Sequence, residues 1–342
     1  RQKCSSCSKS GISYSRPAWG IEVSLPVSVN LMPTAKIKKI VELAQLSEKL
    51  GYVRCWVYDE GLHTRDVFVT LTSIAIETKK ILVGPGITNP YVRHPGITAS
   101  AIASLDEVSK GRSFVGIGAG GGLTLNPLGI ERLKPATTVS ETVVALRGLF
   151  SGERVSLEGC EFSLKSASLN YGRGSIEIFL AGRGERMTQL GAELGDGFYL
   201  SYIHKDFLPR HVKALRKSAK RDPFKIVYST MIVSSQKEFE EARAALSFRL
   251  VDSPQEVKEH IGMTEELNSQ IKTALSEGGP QNAAKYVPSE WVEQFVITGS
   301  SSEASEELRN LISGNGIDEF QLPIGNPEEA EKVISRTSKM FD

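Results

Sequence analysis

Short, β-branched apolar runs alternate along this chain with longer stretches of helical spacing, and no other feature limits its fold as severely. A parallel neighbour in a sheet needs a long crossover, which a helix supplies, so repeated strand–helix alternation implies βαβ units and a parallel sheet. The runs fall at residues 20–25, 53–58, 81–88, 114–118, 176–181, 197–201, 226–233 and 319–323. Eight units match a (β/α)8 TIM barrel better than a doubly wound sheet, whose usual count is five or six. The 342 residues leave room for insertions, expected after the fourth strand, to about residue 175, and after the seventh, over 236–314. Residues 19–342 then make one domain, and 1–18 a Ser-rich, disordered extension that the barrel does not need.

Between the runs, helical spacing places Ile37, Ile40, Val41 and Ala44 on one face, with Thr34 as cap and Gly51 as exit. A helix is predicted over 66–78. Ile97, Ala101, Leu105 and Val108 form the next apolar stripe.

A formal net charge of +1 supplies no field to attract nucleic acid or an anionic membrane. No apolar run approaches the roughly 20 residues that span a bilayer, and no hydrophobic segment of a signal peptide opens the chain, so a cytoplasmic location is expected. Four cysteines do not make a disulfide framework. Cys4 and Cys7 stand as CxxC, with no second pair to complete a zinc site, and no HxH or HExxH occurs, so no metal is expected. The absence of a GxSxG nucleophile motif argues against covalent hydrolysis.

Barrel enzymes build their sites at the C-terminal ends of the strands. There stand Glu22, Asp59, Glu60, Thr88, Asn89, the glycines after Ile117, and Gly182-Arg183-Gly184. A carboxylate such as Glu22 inside an apolar strand needs a partner or holds its proton more tightly, so a structural salt bridge and a catalytic acid are both open. Asp59 and Glu60 are adjacent and point apart off a strand end, so one is expected to face the cavity and the other solvent. His63 and His94 lie where they can reach the mouth. Gly116-Ile117-Gly118-Ala119-Gly120-Gly121 satisfies GxGxxG, but it follows the fourth strand and opens no clear helix, against a dinucleotide fingerprint. Gly118 and Gly120 instead let a flat ring or a substrate lie against the backbone. Gly182, Arg183 and Gly184 precede a helix whose free N–H groups suit a cofactor phosphate, although glycines at such turns also occur for purely steric reasons.

From Gly84-Pro85-Gly86-Ile87-Thr88-Asn89-Pro90-Tyr91-Val92-Arg93-His94-Pro95 through Thr98–Glu107 to Gly116-Ile117-Gly118, the sequence closely resembles the luciferase-like oxidoreductases. Within them it looks most like the methylenetetrahydromethanopterin reductases, which use the deazaflavin coenzyme F420. The resemblance implies a non-prolyl cis peptide at Gly86–Ile87 behind the (deaza)flavin ring, with Thr88 and Asn89 flanking the ring and Asp59 beside it. It further implies a cofactor-phosphate segment at Gly182-Arg183-Gly184, a first-strand carboxylate at Glu22, and a homodimer or higher homo-oligomer. Deazaflavin-using relatives commonly carry Asp-His where this chain has Asp59-Glu60, and an acidic residue where it has Gly121. His63 is placed to take part of the missing imidazole's space.

The function so implied is an oxidoreductase acting on a small molecule with a CH–NH or related donor group. Hydride passes between F420 and a substrate such as 5,10-methylenetetrahydromethanopterin, and Glu22 or Glu60 handles the accompanying proton. An FMN-dependent monooxygenase of the same family is the alternative. A barrel that binds a flavin without catalysis is a third reading, from a different class.

Overall fold

In the computed structural model, which describes residues 25–341, eight parallel strands form one continuous sheet. They are β1 Val27–Leu31, β2 Arg54–Val57, β3 Leu82–Pro85, β4 Phe114–Ile117, β5 Glu177–Ala181, β6 Gly197–Ser201, β7 Lys225–Ser229 and β8 Glu319–Ile324. Their order, β3-β2-β1-β8-β7-β6-β5-β4, is cyclic in the chain. Bridges between Val83 and Ser113 and between Thr88 and Ile117 close the ring, making the predicted TIM barrel. Among the described residues, no helix is long and apolar enough to cross a membrane.

The strands are apolar mainly on the side that meets the helices. Val27, Val29, Leu31, Cys55, Val57, Val115 and Ile117 pack outward into the main core with helices α1 Ile37–Lys49, α2 Val67–Glu77 and α3 Pro95–Ser109. Inside, Trp56, Phe114, Phe179, Ala181, Tyr199 and Val227 form a separate cluster. Below it, toward the N-terminal ends of the strands, lies a charged floor. Arg54 Nε donates to Glu319 Oε2 at 2.9 Å and Arg54 Nη1 to Glu177 Oε2 at 2.8 Å, while Lys225 Nζ reaches Glu177 Oε1 at 2.5 Å. The Arg54 guanidinium also lies over the rings of Phe114 and Phe179, 5.2 and 5.0 Å from their centroids.

Several expectations shift. The first strand of the barrel is Val27–Leu31, between Pro26 and Pro33, and not 20–25. Its alternation puts three aliphatic residues outward and Ser28 and Asn30 inward. Residues 20–24, with Glu22, and the extension with Cys4 and Cys7 lie outside the described residues. Lys36, not Thr34, holds the N-cap position of α1, with no side-chain cap, and Gly51 leaves the helix at φ +85° as expected.

The buried face of α3 is Thr98, Ala99, Ile102, Leu105, Asp106 and Ser109, whereas Ile97 and Val108 of the predicted stripe are exposed. Polar residues can hold the inner face because Asp106 is paired there with Arg173 and Ser113. The seventh run also divides. β7 ends at Ser229, and Ile232–Val233 pairs instead with Ile297–Thr298 inside the second insertion.

That insertion carries α4 Gln236–Val251 and α5 Glu265–Ala283, and has its own core around Leu246, Leu250, Ile271, Trp291 and Phe295. The insertion after β4 contains an antiparallel hairpin of Val155–Glu158 and Ser163–Ala167.

Candidate active site

The second strand delivers two carboxylates to the barrel mouth, and neither is exposed. Asp59 Oδ2 accepts a hydrogen bond from Thr88 Oγ1 at 2.7 Å, and Glu60 Oε2 accepts one from Thr124 Oγ1 at 2.6 Å. Burial raises the pKa of both. The Thr88 hydroxyl opposes the rise at Asp59, and Thr124 and the Arg249 charge oppose it at Glu60. The expectation that one of the pair turns to solvent is therefore overturned, because Thr88 and Thr124 approach from two sides.

The third strand changes partners at its end. Gly86 N donates to Val57 O of β2 at 2.7 Å, whereas Thr88 N donates to Gly116 O of β4 at 2.9 Å and Thr88 O accepts from Gly118 N at 3.0 Å. Between them the Gly86–Ile87 peptide is cis, at the bond that the sequence singled out. Gly86 itself is required by space, since a Cβ there would lie 2.6 Å from Trp56 Cβ. Its carbonyl accepts from Asn30 Nδ2 at 2.6 Å.

Ile87 explains half of the glycine run. A Cβ at Gly116 would stand 2.8 Å from Ile87 Cγ2, and one at Gly118 would stand 2.2 Å from Ile87 Cδ1. Gly118 thus makes room for Ile87 rather than for a ligand ring. Gly120, at φ +68°, turns the chain beside Asn89. The side chain of Asn89 is buried, and its Oδ1 accepts from Tyr91 N and Val92 N at 3.0 and 3.1 Å, an Asx turn that fixes the loop after β3.

At the end of β5, Gly182 lies where a Cβ would meet Met187 Cβ at 2.6 Å, so its role is steric. Arg183 Nη1 donates to Arg249 O at 2.7 Å, which fastens the second insertion to the barrel. Gly121 and Gly184 differ from their neighbours, because nothing lies within 4 Å of where their side chains would stand. With half-buried Ala119, Gly120 and Arg183 around them, they leave backbone available to a flat ligand and its polar tail. The residues present thus fit a deazaflavin-type group at this mouth.

Glu22 lies outside the described residues, and the inward position on the first barrel strand is held by Asn30. His63 sits exposed in the Gly61–His63 turn. His94 does not reach the mouth, because its Nδ1 caps α3 by accepting from Gly96 N at 3.1 Å and its Nε2 is 3.2 Å from Ser163 O.

Sequence reasoning missed Asn30 and Arg249, which no local motif marks. It also missed Arg54, although a charge inside an apolar run was a visible signal. His204, Asp206 and His260 come together beyond β6 with possible ligand atoms within 4.8 Å of one another. His204 Nδ1 already accepts from Asp206 N at 3.1 Å, and its Nε2 faces Gln294 Oε1 at 3.0 Å, so that imidazole is used in packing.

Residues 20–319 match a family described as luciferase-like monooxygenase. The 5,10-methylenetetrahydromethanopterin reductase of Methanolobus tindarius is 31% identical over 90% of this chain and 98% of its own length. That of Archaeoglobus fulgidus is 34% identical, over 90% and 95%. The solved coenzyme F420-dependent tetrahydromethanopterin reductase from Methanopyrus kandleri superposes with a TM-score of 0.81 at 25% identity, covering 93% of this chain and all of that one.

Proposed function

Because this chain belongs to the luciferase-like monooxygenase family, we propose that it is an F420-dependent oxidoreductase of the methylenetetrahydromethanopterin reductase type. The observation that carries this reading is the likeness to two enzymes of that name at 31 and 34% identity, each over nine-tenths of the chain. When bound, the deazaflavin supplies hydride at its ring carbon C5.

The rest belongs to the protein's own residues. Ile87 and Gly86 form the wall behind the ring, with Thr88, Asn89 and the turns at Gly118–Gly121 and Gly182–Gly184 around it. Thr88 holds Asp59 by the 2.7 Å bond, so the carboxyl keeps one orientation. Glu60 is the proton-holding group toward the substrate nitrogen, since burial keeps its proton on to higher pH than an exposed glutamate would. The sheet and the insertion after β7 restrict water at the mouth, which strengthens every polar interaction there.

The same reading includes a second copy of the chain. Val69 and Ile76 of α2 and Ile97 and Val108 of α3 are 55, 65, 57 and 41% exposed on adjoining helices, an apolar face suited to an identical face on a partner.

Anaerobic titration of the protein with F420 and with FMN, followed by absorbance, tests the proposal. F420 should bind and be oxidised on addition of 5,10-methylenetetrahydromethanopterin. FMN binding with substrate-coupled oxygen uptake would replace the reading with a monooxygenase.

A further inference from the structure

Two arginines are buried in this barrel under opposite conditions. Arg54, on the floor, is held by Glu319 and Glu177, whose charges outweigh the cost of burial and raise its pKa. Arg183, at the mouth, has no such partner. Burial, and after it the charge of Arg249, push its pKa down to about 10. Among the described residues, no carboxylate oxygen lies within 4.0 Å of either the Arg183 or the Arg249 guanidinium.

Arg249 occupies an unusual place. It belongs to the last turn of α4, in the insertion after β7. Its guanidinium lies 3.8 Å from the ring centroid of Tyr202, just past β6, and its charge acts on Tyr58 and Glu60 at the end of β2. In the cyclic order β2 and β6 are four strands apart in either direction, so a group that reaches both lies across the mouth.

Hydrogen bonds leave the charge unsatisfied. Arg249 Nη1 donates to Ala245 O in its own helix at 2.5 Å, and Arg183 Nη1 to Arg249 O. A guanidinium carries five N–H donors, so most of this pair's capacity remains. Two poorly paired cations in a half-buried mouth are stable only if an anion arrives with the ligand.

We propose that Arg249, together with Arg183, forms an anion site across the barrel mouth that grips a phosphate or carboxylate of the bound molecule from the insertion side. This rests on the reading of the mouth as the ligand site. The shared chemistry is an oxyanion suited to the fork of a guanidinium. Its source is either the cofactor's phosphate-bearing tail or an acidic group of the substrate.

The test compares wild type, Arg249→Gln and Arg249→Lys by calorimetric titration with F420, with the deazaflavin riboside that lacks phosphate, and with inorganic phosphate. It adds steady-state KM for the substrate. Arg249→Gln should weaken the anion-bearing ligand about tenfold or more and leave the riboside unchanged, with Arg249→Lys in between. A loss in F420 affinity assigns the anion to the cofactor. A loss in KM alone, with F420 affinity kept, assigns it to the substrate. Equal affinities for F420, phosphate and substrate in wild type and Arg249→Gln overturn the inference, as does a riboside weakened as much as F420. Should the Gln variant not fold, unchanged affinity of Arg249→Lys for every anionic ligand overturns it instead. If wild type binds inorganic phosphate but neither F420 nor riboside, and Arg249→Gln loses that phosphate, the anion site stands and the F420 assignment fails.

Discussion

Replacing Arg54 with methionine tests the charged floor of the barrel. The side chain of Arg54 is 3% exposed and that of Glu319 5%, so water cannot compensate either one when its partner is removed. Glu177, at 29%, keeps Lys225 2.5 Å away. The variant therefore leaves one stranded carboxylate, Glu319, whose Oε1 already lacks a hydrogen-bond partner. Breaking a buried pair in this way costs about 3–5 kcal/mol, a large part of a stability that is typically about 5–15 kcal/mol. Urea unfolding followed by far-ultraviolet circular dichroism at neutral pH should show a loss of that size.

Adding Glu319→Gln to Arg54→Met removes the stranded charge, so the double variant should be more stable than the single one. Burial raises the pKa of Glu177, but the charges of Arg54 and Lys225 more than offset this and leave it below the usual carboxylate range. Its contribution is present above the unfolded-state pKa and is lost as pH falls through the lowered one, so the difference between wild type and Arg54→Met should narrow in acid. A loss below about 1 kcal/mol, the scale of an exposed ion pair, or a double variant weaker than the single, would refute the reasoning.

Glu60→Gln should lower turnover about 10²- to 10⁴-fold while F420 affinity in the absorbance titration stays nearly constant, and unchanged turnover removes Glu60 from the proton step. Asp59 has its folded-state pKa raised by burial, so its ionised form opposes folding; the penalty is absent below the unfolded pKa and full above the folded one. Asp59→Asn should therefore raise the thermal midpoint at pH 7 and lose that advantage near pH 4, and a gain equal at both pH values excludes the ionisation as its source. Gly116→Ala would bring a Cβ to 2.6 Å from Pro85 O and 3.0 Å from Trp56 Cζ3, and should cost about 1–3 kcal/mol in the same urea assay. Ile76→Lys should shift the sedimentation of the protein toward monomer; a distribution like that of wild type removes α2 from the proposed contact.

Strand–helix alternation was enough to determine the closed parallel barrel, because a run that packs against helices must be apolar wherever it sits. The unbroken segment from Gly84 to Gly118 likewise determined the family and the position of the cis link. The same periodicity misplaced the first strand, since 20–25 and 27–31 both alternate and only pairing with β2 and β8 distinguishes them. What entered the barrel was settled by tertiary structure alone. Arg54 meets Glu319 across 265 positions of chain and Arg183 meets Arg249 across 66. The partners that fix a charge, orient Asp59 or leave a guanidinium in need of an anion lie on elements far apart in sequence, and no local pattern encodes which of them will face one another.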